Sequence, residues 1–239
     1  MNKLKDIKIV AFDYGGTLDL PGMHWFDFLW DLVTTQLHSY LPVTREAFWD
    51  AYVYGERELE SHPVPSDAGL YHTLLLKSNY ELDYLQKNVP GLPLSGEQEK
   101  QHVASLLATA AVKAITEGTY KESAKVLTAL HEKYQLYIVS NYYGNLRTVL
   151  ADADFLRYIT FLIDSTVVGI RKPDPAIWKL AVDAAGVKPE HILVVGDSMK
   201  NDILPAQSLG CRTAWLTKEA PDDYEGLVIH TLTDLLLLL

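Results

Sequence analysis

The sequence predicts an α/β fold, a doubly wound parallel sheet with a block of four helices inserted after its first strand. Three observations predict it. Residues 7–12, Ile-Lys-Ile-Val-Ala-Phe, form a short β-branched apolar run that stops at Asp13 and the pair Gly15-Gly16. From 22 to 117 apolar residues recur at spacings of three and four, as Trp25, Phe26, Leu29, Trp30, Val33 and Leu37 do. After Gly118 helical and strand patterns alternate, as they do in the repeating units of a parallel sheet.

The elements follow in order. Strand 7–12 reads as buried and is succeeded by helices over 23–41, 44–61, 66–86 and 96–116, with Pro63, Pro65, Pro90 and Pro93 marking the turns. Ser95, three residues ahead of Gln98, suits a capping box for the last of them. A helix over 121–134, a strand over 136–139, a helix over 145–158 and a strand over 161–163 come next. They are followed by a helix over 175–185, a strand over 192–195, a helix over 200–209 and a strand over 212–216. The leucines 235–239 read as the end of a final helix that begins near Thr231 or Thr233. The chain thus divides into a core, 1–20 and 118–239, and a helical block, 21–117. The crossings lie near 19–22 and 117–120, where small residues would serve as hinges.

Composition limits the function. The 239 residues are 48% hydrophobic, with 14 Gly and 11 Pro in no period, which excludes a disordered or collagen-like chain. A net charge of −10 without a visible cluster of Lys and Arg speaks against nucleic acid. Cys211 is the single cysteine, so no internal disulfide forms and a reducing cytoplasm fits. Residues 1–6 lack the basic start of a secretory signal, and no apolar run approaches the roughly 20 residues that span a bilayer. The expectation is a cytoplasmic monomer or weak dimer that binds neither membrane nor nucleic acid.

Four polar clusters follow strand-like runs, as a site at strand ends requires. Asp13, with Gly15 and Gly16 close behind, suits a nucleophile or a metal ligand, and also reads as an ordinary turn. Ser140-Asn141 offers a hydroxyl and an amide or backbone N–H to an anion, or a cap to the next helix. Lys172, between Gly169 and a helix start at Asp174-Pro175, would hold a phosphate as a point charge, or would be a surface charge beside Arg171. Asp197 and Asp202, five residues apart at a strand-to-helix junction, offer oxygen ligands suited to Mg²⁺, or cap the helix.

Taken in order, Asp13-Tyr14-Gly15-Gly16-Thr17-Leu18, Ser140-Asn141, Lys172-Pro173 and Gly196-Asp197 with Asn201-Asp202 resemble the motifs of the haloacid dehalogenase superfamily. The resemblance spans the core, and the helical block resembles that family's inserted four-helix cap over a Rossmann-type sheet. It implies Asp13 as nucleophile, Lys172 as charge-stabilising partner, and Gly16, Ser140, Asn141 and Lys172 around a phosphate. It also implies Mg²⁺ held by Asp13, the carbonyl of Gly15 and Asp197, with Asp202 beside or behind. The implied activity is a phosphatase of small phosphorylated metabolites working through an aspartyl-phosphate.

One position departs from the pattern. Phosphatases of this family carry a general acid and base aspartate two residues after the nucleophile, and Gly15 stands there. Losing such a group costs roughly 10²- to 10⁴-fold in rate. Tyr14, Asp19 and His24 are the nearby substitutes. Tyr14 is expected to point away, Asp19 to be a loop residue, and His24 to lie just inside the first cap helix. Two further readings stay open. One is carbon–phosphorus, acyl-phosphate or dehalogenase-like chemistry, for which relatives that cleave phosphonates use a cap lysine. None lies near Tyr54-Gly55-Glu56-Arg57, while Lys77, Lys87 and Lys100 come later. The other is a non-catalytic binder of phosphate and Mg²⁺. The cap aromatics Trp25, Trp30, Trp49, Tyr52, Tyr54 and Tyr71 read as cap core, with one or two facing the cavity.

Overall fold

The computed structural model describes residues 4–94 and 96–239. Six parallel strands lie in the order β3-β2-β1-β4-β5-β6, with β1 (Ile9–Phe12) flanked by β2 (Gln135–Ser140) and β4 (Ile192–Gly196). β3 (Ile159–Asp164) and β5 (Arg212–Leu216) lie outside them, and β6 (Leu227–Ile229) closes the sheet beside β5. Every residue of β1 and β4 is buried, as expected where helices cover both faces. Alternate residues feed two cores. Val10, Phe12, Ile138 and Val195 face one, and Ile9, Ala11, Val139 and Val194 the other.

The first of these cores continues into the inserted helices through Phe26, Phe48, Leu82 and Leu107. Those helices are α1 (Trp25–Gln36), α2 (Arg45–Ser61), α3 (Leu70–Asn88) and α4 (Glu97–Ala114). Thr44 caps α2, its Oγ1 accepting from Ala47 N at 3.2 Å. The capping box expected from Ser95 lies outside the described residues.

The two crossings differ. Residues 19–22 form the expected turn, where Gly22 N–H donates to Gly16 O at 2.9 Å. The second crossing is no break. The chain runs from α4 into α5 (Tyr120–His131) through one π-helical turn, Ile115–Thr119. Buried Ile115 anchors that turn, and Thr119 Oγ1 donates to the carbonyl of Asp19, so the crossing is tied down where Gly118 suggested a hinge.

Further along, the helix expected over 145–158 stops early as α6 (Leu146–Asp152), because Asp154 takes φ 59° and a 3₁₀ turn, Leu156–Tyr158, follows. A short helix, α7 (Ser165–Val168), ends on left-handed Gly169. α8 (Pro175–Ala185) opens as expected on Asp174, whose carboxylate accepts from Ala176 N at 2.9 Å. A second π turn, Met199–Ile203, leads into α9 (Leu204–Ser208). Thr231 and Asp234 form a capping box ahead of α10 (Leu235–Leu238), which buries Leu235 and Leu238. Among the described residues no helix is long and apolar enough to cross a membrane.

Candidate active site

The carboxyl ends of β1, β2 and β4 and the loop before α8 bring Asp13, Ser140, Asn141, Lys172 and Asp197 around one cavity of about 570 Å³. Asp13 leaves β1 with its N–H donated to Val195 O at 2.9 Å, so the sheet itself aims the carboxylate. Lys172 is buried between two acids, with Nζ 2.7 Å from Asp13 Oδ1 and 2.7 Å from Asp202 Oδ1. Burial alone would lower the lysine's pKa, but Asp13 and Asp202 outweigh it and raise it, so the group is a cation.

Asp202 is fully buried and accepts a second bond from Ser198 N at 3.1 Å. It therefore stands behind Lys172 and orients it. Asn141 does the same for the main chain: its Oδ1 accepts from Lys172 N at 2.8 Å and its Nδ2 donates to Lys172 O at 3.0 Å. The Asn141 side chain thus braces the Lys172 main chain with its oxygen and one of its two amide N–H groups. Ser140 ends β2 in a buried position on the cavity wall.

Asp13, Asp197 and Asp202 each offer an oxygen within 4.8 Å of the others. Burial, with Asp13 and Asp202 adding to it, pushes the Asp197 carboxyl well above its ordinary range. Three acids facing one lysine leave a local excess of negative charge, which a divalent cation would relieve, and the all-oxygen donor set fits one. Gly16 makes the arrangement possible. It sits at φ 79°, and a Cβ there would lie 2.5 Å from Asp197 Oδ2, so only glycine lets the loop pass under that carboxylate.

The space beside Gly15 is filled from the cap. A Cβ on residue 15 would lie 3.8 Å from Trp25 Nε1, and that nitrogen donates to Asp19 Oδ2 at 2.8 Å. Asp19 lies in the loop expected for it, accepts from Gly16 N at 2.7 Å and is fully buried there. Burial, partly offset by these bonds, raises its carboxyl to about 7. Tyr14 points away as expected, its hydroxyl 2.6 Å from that of Tyr120. His24 is the N-cap of α1 and lies one residue ahead of the helix in which it was expected. Its Nδ1 accepts from Phe26 N at 3.1 Å, which leaves the neutral ring's proton on Nε2, and burial lowers its pKa.

On the cap side the cavity is lined by His24, Trp25, Tyr52, Glu56 and Lys77. Of the three cap lysines left open, Lys77 alone lines it; Lys87 is exposed and Lys100 pairs with Asp83 and Glu97. Sequence reasoning missed Glu56, Tyr143 and Lys200, which also line it. Glu56 carried a signal, since it shares a helix face with Tyr52 at a spacing of four.

Comparison with known proteins agrees with this geometry. A family model described as haloacid dehalogenase-like hydrolase matches residues 7–210. A phosphoglycolate phosphatase of Salmonella typhi is 30% identical over 91% of this chain and 84% of its own. A phosphoserine phosphatase of Thermus thermophilus is 35% identical over 81 residues, 34% of this chain, and the match spans about a third (32%) of that relative's length. The solved L-2-haloacid dehalogenase RSc1362 shares the fold at a TM-score of 0.63 and 20% identity, over 98% of both chains. With the matched model covering most of the sheet and all of the inserted helices, the chain belongs to the haloacid dehalogenase-like hydrolases.

Proposed function

We propose that this hydrolase is a Mg²⁺-dependent phosphatase of a small phosphorylated molecule, working through an aspartyl-phosphate on Asp13. Residues 1–20 and 118–239 supply the chemistry and the cap, 21–117, covers it. The observation that carries the reading is Lys172 held 2.7 Å from both Asp13 and Asp202, with Asp197 beside them. A carbon-attacking dehalogenase has no need of that surplus of carboxylates. A phosphoryl group does, because a cation placed among them and Lys172 together neutralise its charge. The names of the relatives, phosphoglycolate and phosphoserine phosphatases, point the same way.

In this mechanism a carboxylate oxygen of Asp13 attacks phosphorus and the bond to the leaving alcohol oxygen breaks. Water then attacks phosphorus and restores the carboxylate, releasing inorganic phosphate. Lys172 holds a phosphoryl oxygen, Asp202 and Asn141 fix Lys172, and Ser140 with the Gly15 N–H receives the remaining oxygens, while the Gly16 N–H expected there is spent on Asp19 Oδ1. Asp13, the Gly15 carbonyl and Asp197 would hold Mg²⁺, with Asp202 behind, and the ion would supply charge neutralisation at the phosphoryl group. Gly15 provides no proton to the departing alcohol, so esters and acyl phosphates with good leaving groups are turned over best.

Lys77 does not favour a phosphonate-cleaving reading, since its ammonium is ion-paired with Glu56 and therefore not a free nucleophile. The buried free thiol of Cys211 goes with a cytoplasmic setting. The test is hydrolysis of p-nitrophenyl phosphate and acetyl phosphate with and without Mg²⁺. Turnover that needs Mg²⁺ and disappears in Asp13→Asn is expected. Equal turnover by Asp13→Asn, or none by the wild type, overturns the reading.

A further inference from the structure

The cavity is charged on both sides: its core side carries Asp13 and Asp197 with Lys172 and Lys200, and its cap side carries Glu56 and Lys77. In the cap pair the acid is the accessible member: the Glu56 side chain is 26% exposed and that of Lys77 only 4%. Lys77 is occupied, with Nζ on Glu56 Oε1 and 3.8 Å above the Tyr52 ring, while Glu81 Oε1 lies 4.0 Å away. Glu56 accepts from Lys77 on one oxygen and from the Tyr143 hydroxyl, 2.7 Å away, on the other. The Tyr52 hydroxyl is a third donor to it, and because a carboxylate has about four acceptor positions, capacity for one further donor remains.

Glu56 is an anion at neutral pH. Burial would raise its pKa, but Lys77, Tyr143 and Tyr52 overcome that and hold it below the ordinary range. Behind it, Glu81 is buried, with neither carboxylate oxygen hydrogen-bonded, so it adds negative and never positive potential. His24, the other titratable group of this wall, is shifted towards its neutral form. The wall therefore sums to neutral or negative, and its exposed part is an acceptor. A ligand carboxylate placed there would meet Glu56 with no unspent cation, whereas a hydroxyl or ammonium would find a charged acceptor.

We propose that Glu56, clamped by Lys77 and by Tyr143 of the core, is the leaving-group subsite. It selects phosphate esters whose alcohol carries hydrogen-bond donors, a hydroxyl or an ammonium, over esters whose alcohol carries a carboxylate. This rests on the phosphatase reading and departs from the leaving group named in the phosphoglycolate phosphatase relative.

The test compares kcat/KM for ethanolamine phosphate, glycerol 3-phosphate and phosphoglycolate, each normalised to p-nitrophenyl phosphate on the same protein with Mg²⁺. Both donor-bearing esters are expected to exceed phosphoglycolate by about tenfold or more, the worth of one hydrogen bond to a charged group. Glu56→Gln, which keeps the shape and removes the charge, is expected to narrow that ratio to about threefold or less. Phosphoglycolate equal or preferred with the wild type overturns the proposal, and so does a ratio unmoved in a folded Glu56→Gln. Should that variant not fold, inhibition of the wild type by free ethanolamine, glycerol and glycolate decides, with glycolate expected weakest. Absence of any turnover, activated esters included, would sink the phosphatase reading separately. Calorimetric titration of the same esters into the wild type would then decide the subsite, tighter phosphoglycolate counting against it.

Discussion

The indole nitrogen of Trp25 donates to Asp19 Oδ2 at 2.8 Å and lies 3.8 Å from where a side chain on Gly15 would begin. A cap residue thus fills the space that a general acid would occupy, and a buried core carboxylate holds it there. A Cβ at position 15 makes only ordinary van der Waals contact, and that with the Trp25 side chain and no main chain, so the indole is the one group that a carboxyl there would have to move against. Gly15→Asp is expected to fold normally and to raise kcat/KM on glycerol 3-phosphate by about 10- to 100-fold, the lower part of the range for one positioned acid. Turnover of p-nitrophenyl phosphate, whose leaving group needs no proton, should change far less. A folded variant in which both substrates respond alike would show that position 15 does not face the leaving group.

Lys172 is the only cation placed among Asp13, Asp197 and Asp202 in the described residues. Replacing it by methionine leaves buried Asp13 and Asp202 and half-buried Asp197 without a counter-charge. Removing one partner of such a pair costs about 3–5 kcal/mol, so a clear fall in Tm is expected along with loss of turnover. Because a ligand stabilises the state it binds, Mg²⁺ should raise the Tm of both proteins, and of Lys172→Met by the larger amount. Thermal melts over a Mg²⁺ series, with EDTA as baseline, check this. An equal or smaller response of the variant would remove the cation from this cluster.

Glu81 makes a prediction about pH. Burial, with Glu56 adding and Lys77 opposing, raises its carboxyl from 4.5 to about 7. A raised acid binds its proton more tightly in the folded state, so its contribution is complete below the unfolded value and is lost as pH climbs towards 7. The shift corresponds to about 3 kcal/mol at most, at 1.36 kcal/mol per unit. Glu81→Gln cannot titrate. The variant's stability relative to the wild type should therefore rise between pH 5 and pH 8, as read from denaturant midpoints at each pH. A relative stability that is flat, or that falls, contradicts the assignment.

How much of this was legible beforehand follows from what each signal depends on. Strand β1 and its terminal Asp13 were readable because burial on both faces forces a continuous apolar run that must end abruptly at a polar site. The partners of Lys172 were readable by position but not by role, since the pairing of Asn141 with the Lys172 main chain depends on a loop path that no spacing encodes. Asp19 was legible as a loop residue, but its bond to Trp25 Nε1 was not, because that partner meets it only once the cap has folded back. Gly118 suggested a hinge by its chemistry, yet the π turn keeps the helix continuous through it. β6 escaped because three residues are too few to show a period.

Gly55 sets local helix propensity against tertiary fit. It is a buried position inside α2, where glycine costs about 0.5–1 kcal/mol relative to alanine, so propensity alone makes Gly55→Ala stabilising. A Cβ there, however, would lie 2.9 Å from Glu81 Cγ and 3.4 Å from the Lys77 carbonyl. Glu81 is buried and the contact is with its Cγ rather than the far end of the side chain, and the carbonyl belongs to α3 itself. Overpacking of this kind costs about 1–3 kcal/mol, which exceeds the propensity gain. Gly55→Ala is therefore expected to lower Tm by a few degrees and, by pushing α3 away from α2, to disturb the Lys77–Glu56 pair. The second effect shows as a weaker preference for donor-bearing esters at unchanged Mg²⁺ dependence. A rise in Tm would mean that α2 and α3 can part at no cost, and that the cap wall built on their contact is looser than this packing requires.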